Sequence, residues 1–497
     1  MKKYFIVITT LLLAFSAQAK KEEPDAVYRL IRHGYTVNVD GSVDYNFRKE
    51  LTILRNRALT AYADKGETFV VYNPAFETLT INECYTLRKD GSRVYPPKNA
   101  FVRQLPSNCE DCDRYNGLRE LVIVHTGMEY GCTIVLDYTI HRKSGKISAN
   151  LTLAEDCPID RYEVLLKQPK GYGVAWSKHL PSLSKVKVSE ETSDDCTSVK
   201  FVATKIPQKY EEFYLPSDNE LYPFITLGNG RRDKWFVFDT TDKVPEAKET
   251  LALIFENDEI DYLNAVANYV AENVATNDIS PEALDFAVSP ASVTWLSNCG
   301  TLADKTQLLC ALLREIGFEP QVTTEDGDFK VKVSVKGHEY KVSATTKNNI
   351  KATDAKLQKN MYLSAQLQWN GKELGNGYSQ TTLVQRDMGF DARQLLSNRN
   401  APLAIREAEC NLPYVITLPH GSKLVTKPYD KRLEMKQADG SPLWSMHIRL
   451  EQRGDLLYAT RIFKIYKNTT INGKTYQTFR KALIEWQKSA TITLKNN

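Results

Sequence analysis

Between Val27 and about Asp239 the chain alternates apolar and polar residues with a period of two. That spacing sends successive side chains to opposite faces of a strand. YRLIRHGYTVNVDGS (28–42) alternates and then breaks at Asp40-Gly41, a dipeptide favoured in tight hairpins because it tolerates positive φ. LTINECYTLRKDGSRVYPP (79–97) repeats the scheme around Asp90-Gly91, and RELVIVHTGMEYGCTIVLDYTIHRKSGKISANLTL (119–153) reads as three more strands. EETSDDC (190–196) reads as a solvated acidic loop. The pattern predicts an all-β N-terminal domain, large enough for a twisted sandwich.

The period changes near Val244. In DEIDYLNAVANYVAENVATND (258–278), Leu263, Val266, Val270 and Val274 recur at helical spacing. Further on, SNCGTLADKTQLLCALLREIGFEPQ (297–321) runs from a polar turn into a second helix. Thr301-x-x-Asp304 fits a capping box, which places the helix start at Leu302, and Gly317 marks its end. Leu302, Leu309, Leu313 and Ile316 form its apolar stripe. FKVKVSV (329–335), a turn at Lys336-Gly337 and HEYKVSAT (338–345) then return to period two, so this stretch predicts a small α+β unit. A polar link over 347–375 leads to further alternating segments (414–425, 432–452 and 456–468) around glycine-containing turns. Tyr476, Phe479, Leu483 and Trp486 mark an amphipathic helix before a closing strand, ATITL (490–494). There is no internal repeat of fixed period.

Composition adds class and compartment. A chain of 497 residues suggests about three domains at roughly 150 residues each. The first residues, MKKYFIVITTLLLAFSAQA, have a basic start at Lys2 and Lys3, an apolar run from Tyr4 to Phe15, and Ala17-Gln18-Ala19 as a cleavage site. The run falls short of the ~20 residues that cross a bilayer about 30 Å thick. It predicts a signal peptide over 1–19 and an exported protein starting at Lys20, with an uncleaved tether as the competing reading. The periplasm is the more economical destination than extracellular release. Sixty-five basic and 61 acidic residues give a net charge of +4 and are interleaved, which argues against nucleic acid or an anionic membrane as partner.

The expected division is 1–19 signal peptide, 20–243 β-sandwich-like domain, 244–346 α+β core, and 347–497 linker with a C-terminal β domain. Six of nine cysteines lie between residues 84 and 196, where export permits disulfides. Cys109-Glu-Asp-Cys112 lacks the second pair that a zinc site needs. A structural disulfide is expected, either local or to Cys84 or Cys132.

GTLADKTQLLCALLREIGFEP (300–320) resembles the nucleophile helix of the bacterial transglutaminase-like superfamily, whose usual form is G-x-C-x-D-K-x-x-x-L-x-x-x-L-L-R-x-x-G. The matching residues are Gly300, Asp304, Lys305, Leu308, Leu309, Leu312, Leu313, Arg314 and Gly317. The flanking segments, through their D-G turns and GMEYGCTIVLDYTI, resemble exported Bacteroidetes proteins that carry such a core between two β domains. The resemblance spans nearly all the mature chain, but only the helix segment is specific. It implies a papain-like α+β core and, in active members, a Cys-His-Asp constellation. An imidazole and a helix N-terminus stabilise the thiolate there, and a third group orients the imidazole.

The spacing to Arg314 and Gly317 puts the family cysteine at Leu302. Alignment on Gly337 and the terminal Ala-Thr puts the histidine at Asp328 and the aspartate at Ser343, and no histidine occurs between 318 and 337. All three chemical groups are replaced. Cys299, just before the helix and near its positive end, is the alternative nucleophile; the histidine nearest in sequence, His338, follows the hairpin turn. Cys310, inside the helix, reads as core. The other histidines show no metal-ligand spacing, and no loop has EF-hand spacing. Neither a metal nor an organic cofactor is expected.

The resulting expectation is a degenerate, catalytically inactive binding or scaffolding protein whose old cleft takes an extended peptide or a polysaccharide. The alternative is an active cysteine hydrolase or transamidase that uses a displaced thiol such as Cys299.

Overall fold

A computed structural model describes residues 24–61, 67–109, 112–181, 185–230, 234–325, 328–348, 350, 365–383 and 390–496. The segment read as a signal peptide lies outside these residues, as does much of the polar link after 347. The chain divides into two compact units, one holding 1–209 with 222–354 and the other 210–221 with 355–497.

In the first unit the alternating segments become β1 (Ala26–Val37), β2 (Val43–Ile53), β3 (Glu67–Tyr72), β4 (Glu77–Leu87), β5 (Arg93–Val94), β6 (Phe101–Gln104) and β7 (Arg119–Val124). They continue as β8 (Thr133–Arg142), β9 (Ser148–Thr152), β10 (Ile159–Pro169), β11 (Ala175–His179), β12 (Val186–Thr192), β13 (Cys196–Ile206) and β14 (Phe224–Gly228). Eight of these make one sheet in the order β12-β13-β10-β1-β2-β8-β4-β5, with β1 and β10 parallel. The acidic segment 190–196 differs from expectation: β12 runs to Thr192 and Cys196 opens β13, because Glu191 and Thr192 pair with Ser198 and Thr197.

The tight turns repeat one device. Asp40 Oδ1 accepts from Ser42 N at 3.0 Å and Ser42 Oγ at 2.7 Å, while Gly41 sits at φ 87°. Asp90-Gly91-Ser92 and Asp439-Gly440-Ser441 do the same. The serine hydrogen bonds hold each of the three carboxyls below its ordinary pKa.

Register assigns the two faces of the large sheet. Tyr35 pairs with Tyr45, and Tyr45 with Ile140, so these side chains share one face. Two three-stranded sheets pack on that face. One, β11-β14-β9, contributes Ile225 and Leu227 to a core shared with Ile31, Leu51 and Ile134. The other, β3-β7-β6, contributes Val70, Leu121 and Ile123 to a core shared with Leu136 and Ile140. The opposite face is polar. There the buried Asp137 accepts from Asn46 at 2.7 Å and Asn82 at 2.8 Å, and pairs with Arg32 and Arg48 at 3.2 Å each.

Helical periodicity becomes α1 (Glu259–Asn273) and α3 (Leu302–Glu315), and a further helix, α2 (Ala291–Ser297), forms between them. Asp258 caps α1 by accepting from Ile260 N and Asp261 N; Leu263, Val266 and Val270 are buried on it, and Val274 lies just past its end. Two short parallel strands, β15 (Ala275–Thr276) and β16 (Cys299–Gly300), link α1 to the start of α3. An antiparallel sheet of β17 (Gln321–Glu325), β18 (Asp328–Val335) and β19 (His338–Val342) completes the core with Val331, Val333 and Val342.

The second unit holds β20 (Ala365–Gln368), β21 (Lys372–Gly375), β22 (Tyr378–Thr382), β23 (Leu403–Ile405), β24 (Ala408–Thr417) and β25 (Lys423–Leu424). It continues with β26 (Tyr429–Lys436), β27 (Pro442–Arg453), β28 (Leu456–Ile465), β29 (Thr469–Ile471), α4 (Gly473–Lys488) and β30 (Thr491–Lys495). A five-stranded sheet, β20-β24-β28-β27-β26, supplies Trp444, Met446 and Phe463 to a core with Phe479, Leu483 and Trp486 of α4. Residues 210–221 belong to this unit. Tyr214 O accepts from Ala404 N at 2.9 Å, Tyr214 Oη accepts from Asp391 N at 2.7 Å, and Glu212 pairs with Arg399.

Arg461 on β28 is fully buried between Leu412 and Ile448 on neighbouring strands. Its hydrogen bonds go to neutral groups at the C-terminal end of α4: Trp486 O at 2.7 Å and Ser489 Oγ at 3.2 Å, with the Trp486 ring centroid 4.1 Å away. The negative pole of the helix and its unmatched carbonyls stand in for a counterion, and burial still pulls the guanidinium below its ordinary pKa. Arg461→Ala would leave those acceptors unmatched beside a cavity. We expect a loss of about 3 kcal/mol in urea unfolding followed by tryptophan fluorescence. Arg461→Met, which keeps the stem without the charge, should lose less.

Candidate functional site

The resemblance in the sequence falls on the start of α3, and the local chemistry there is dense. Thr301 is the N-cap, and its Oγ1 accepts from Asp304 N at 3.3 Å. Asp304 reaches back to Thr301 N at 3.0 Å and Thr301 Oγ1 at 2.8 Å, closing a capping box. The Asp304 carboxylate is only 1 % exposed and is fully engaged. It also accepts from Ser289 N at 2.6 Å and from the hydroxyl of Tyr115, which in turn accepts from Thr301 N at 2.9 Å. Burial, reinforced by the Asp304 charge, keeps the Tyr115 phenol protonated far above its usual range. Gly300 is required here because a Cβ would lie 2.8 Å from Asp304 Cβ and 3.0 Å from Thr294 Cγ2.

Other polar residues of α3 also serve the fold. Lys305 is buried, donates to Val274 O at 2.6 Å and Thr276 Oγ1 at 3.0 Å, and is lowered by burial to a pKa of about 8. Gln307 holds Asp239 through its backbone N–H and carbonyl, and Arg314 donates to Asp242 O at 3.1 Å. Every residue from Ala303 to Leu313 is buried, so α3 is enclosed on all sides rather than along one stripe.

Leu302 and Ala303 border a cavity of about 320 Å³ with Phe236, Ile279, Leu284, Ala287 and Phe329. Phe329 packs edge-on against Phe236 at 4.9 Å and Phe238 at 5.1 Å, and Phe286 meets Phe236 at 5.4 Å. The pleat explains this lining. Asp328, aligned with the family histidine, is exposed opposite Glu325, whereas its neighbour Phe329 turns inward. Ser343 is buried away from the cavity, its N–H donating to Asn348 Oδ1 at 2.8 Å. Thus Leu302 lines the hollow, Asp328 and Ser343 do not, and no histidine lies among the residues lining it.

Cys299 is bonded to Cys112, with Cα atoms 6.5 Å apart, a normal span for a disulfide. This corrects the expected pairing of the C-x-x-C loop with itself, Cys84 or Cys132. The loop packs with Tyr115, Leu118, Ile279 and Leu284 against the start of α3, which brings Cys112 to a partner 187 residues away. A sulfur held in a disulfide offers no thiolate. Cys310 is buried and its thiol is pushed up to about 12.

A thiol–imidazole contact absent from the sequence reading occurs elsewhere. Cys84 Sγ lies 3.9 Å from His125 Nδ1, His125 Nε2 is 3.0 Å from Thr68 Oγ1, and Lys49 Nζ donates to Thr68 Oγ1 at 2.6 Å. The pair sits beside Val70, Leu121 and Ile123. Burial pushes the thiol up to about 11 and the imidazole down to about 3, so both are neutral near pH 7, the wrong state for a nucleophile. Among the described residues no cluster of three or more His, Cys, Asp or Glu is arranged to hold a metal. No described helix is long and apolar enough to cross a membrane.

Two outcomes follow. Reduction, or a Cys112→Ala/Cys299→Ala double variant, should cost about 2–5 kcal/mol by chemical denaturation, since the bond closes a very long loop. The unfolded chain binds a proton at His125 near pH 6.5 and the folded chain only near 3. The stability due to neutral His125 is therefore full above about pH 6.5 and is lost as pH falls toward 3. Wild type should lose a few kcal/mol more than His125→Gln across that window in acid titrations of unfolding.

Residues 39–209 match DUF3857 and residues 383–494 match DUF3858, both described as domains of unknown function with a solved structure. No curated protein matches the chain. Among solved structures, the chain resembles a crystal structure from Parabacteroides distasonis described as a "putative protease". The TM-score is 0.74 at 24% identity, covering 95% of this chain and 99% of that one, a likeness of fold across both units.

Proposed function

We propose that this protein is an exported, catalytically degenerate transglutaminase-like binding or scaffolding module whose cleft at the start of α3 receives an extended peptide or glycan. The observation that carries the reading is the wall of that cleft. Leu302 occupies the place where the resembling family carries its nucleophile, Phe329 fills the adjoining inward position, and no imidazole lines the cavity. An apolar hollow of about 320 Å³ matches the lower range of ligand pockets. Its frame, the buried Asp304 and Lys305 network, holds it in shape without any reacting group. The likeness in fold to a protein described as a "putative protease" fits a cleft shaped for a polymer chain. The segment 1–19, read from the sequence as a signal peptide, supports export, with the periplasm as the favoured destination.

The competing reading, a cysteine hydrolase or transamidase acting through Cys299, needs a thiol that the bond to Cys112 withholds. Turnover of fluorescein-labelled casein and incorporation of a dansyl amine separate the two. The expected result is no iodoacetamide-sensitive turnover by wild type, oxidised or reduced. Leu302→Cys should gain an alkylatable thiol and still show no turnover, because no histidine lines the cleft. Thiol-dependent activity of the wild type would sink the binding reading.

A further inference from the structure

The cleft does not end at its apolar hollow. Pro281 also lines a second hollow of about 620 Å³ on the outer side of the β11-β14-β9 sheet, so one residue borders both. The two hollows differ in chemistry. The first is bounded mainly by aliphatic and phenyl groups; the second mixes hydroxyls and an amide, such as Ser177, Thr226 and Asn150, with Trp176 and Leu227. Among all the described residues lining either one, only Asp278 and Glu282 are charged, and both are acidic. Asp278 is exposed and Glu282 is half-buried, where it accepts from Ser280 Oγ and feels the charge of Arg142; neither carboxylate forms an ion pair among those described.

From this we propose that the occupant is an extended peptide that seats one large apolar side chain in the hollow at Leu302 and carries a lysine or arginine beside it, facing Asp278 and Glu282. The proposal rests on the binding reading above and narrows it. A sugar ring fits poorly in the first hollow, because hydroxyls facing Ile279, Leu284, Leu302 and Phe329 would lose their hydrogen bonds to water without replacement. A peptide buries only its apolar side chain there and keeps its backbone at the rim. Both strands that border the rim are edge strands: β15 pairs only with β16, and β17 only with β18. Thr276 of β15 and Thr324 of β17 line the hollow, so two strand edges border it, the kind of element that strand addition uses. The second hollow, where Ser177, Thr226 and Asn150 stand beside Trp176, then takes the continuing backbone.

The test uses the full mature protein and fluorescein-labelled nonapeptides on a Gly/Ser frame, differing only in a central Phe-Lys, Phe-Gly, Phe-Glu or Ala-Lys pair, read by fluorescence anisotropy. The Phe-Lys peptide should bind about fivefold tighter than Phe-Glu, as expected for a partly exposed charge contact. It should also outbind Ala-Lys. Asp278→Asn with Glu282→Gln should erase the difference between Phe-Lys and Phe-Glu. Raising salt from about 50 to about 500 mM should shrink the difference in the wild type alone. Equal binding of Phe-Lys and Phe-Glu would overturn the charge assignment and leave the cleft reading standing. Binding of a neutral linear oligosaccharide that Leu302→Glu abolishes, with no peptide bound, would replace the peptide by a glycan. If neither class binds, the cleft reading falls together with this one.

Discussion

The burial of one carboxylate organises the middle of the first unit. Asp304 sits in the first turn of an enclosed helix, where an ionised group without partners would be prohibitively costly. It is tolerated because Thr301, Ser289 and Tyr115 aim hydrogen bonds at it and the helix N-terminus adds its positive pole. Tyr115 comes from the β-rich part of the chain and Ser289 from the loop before α2, so satisfying the carboxylate fixes three distant segments around one point. The Cys112–Cys299 bond closes the same junction covalently.

This accounts for a helix that keeps most of the pattern it resembles while position 302 departs from it. Gly300, Asp304, Lys305 and Arg314 each meet a demand of packing or hydrogen bonding, and would be needed whether or not any chemistry followed. The residue at 302 meets no such demand, since it lies on the one part of the first turn that borders a cavity. A leucine there joins the apolar group of Ala303, Phe236 and Phe329. The residues that frame the helix start are thus separable from the one that walls the cavity.

Local features were legible in the sequence and long-range ones were not. The Asp-Gly-Ser turns, the capping box at Thr301 and Asp304, and the buried face of α4 with Tyr476, Phe479, Leu483 and Trp486 all follow from spacing and neighbouring side chains. The enclosure of α3 was missed because the partners of Lys305 and Gln307, at Val274 and Asp239, lie far off in sequence and act partly through backbone carbonyls, which no residue type advertises. The Cys84–His125 contact was hidden for a similar reason: β4 and the end of β7 meet only through the packing of two sheets. Within the candidate site, the inward turn of Phe329 beside an outward Asp328 was implicit in the alternation of β18, but which phase faced the cavity depended on the tertiary fold.

Residues 210–221 lie in the chain between two parts of the first unit yet belong to the second. Tyr214 meets Asp391 across 177 residues, and Glu212 meets Asn400 across 188. On a ribosome this segment emerges long before its partners do. It must stay unclaimed while most of the first unit is completed, and the second unit can close only after the chain beyond Ala404 is available. The entropy of closing such a loop grows slowly with its length, so the penalty falls more on rate than on final stability. The order of synthesis therefore makes the second unit a late and non-local folder, with docking of Tyr214 as a step that neither stretch of sequence can complete alone.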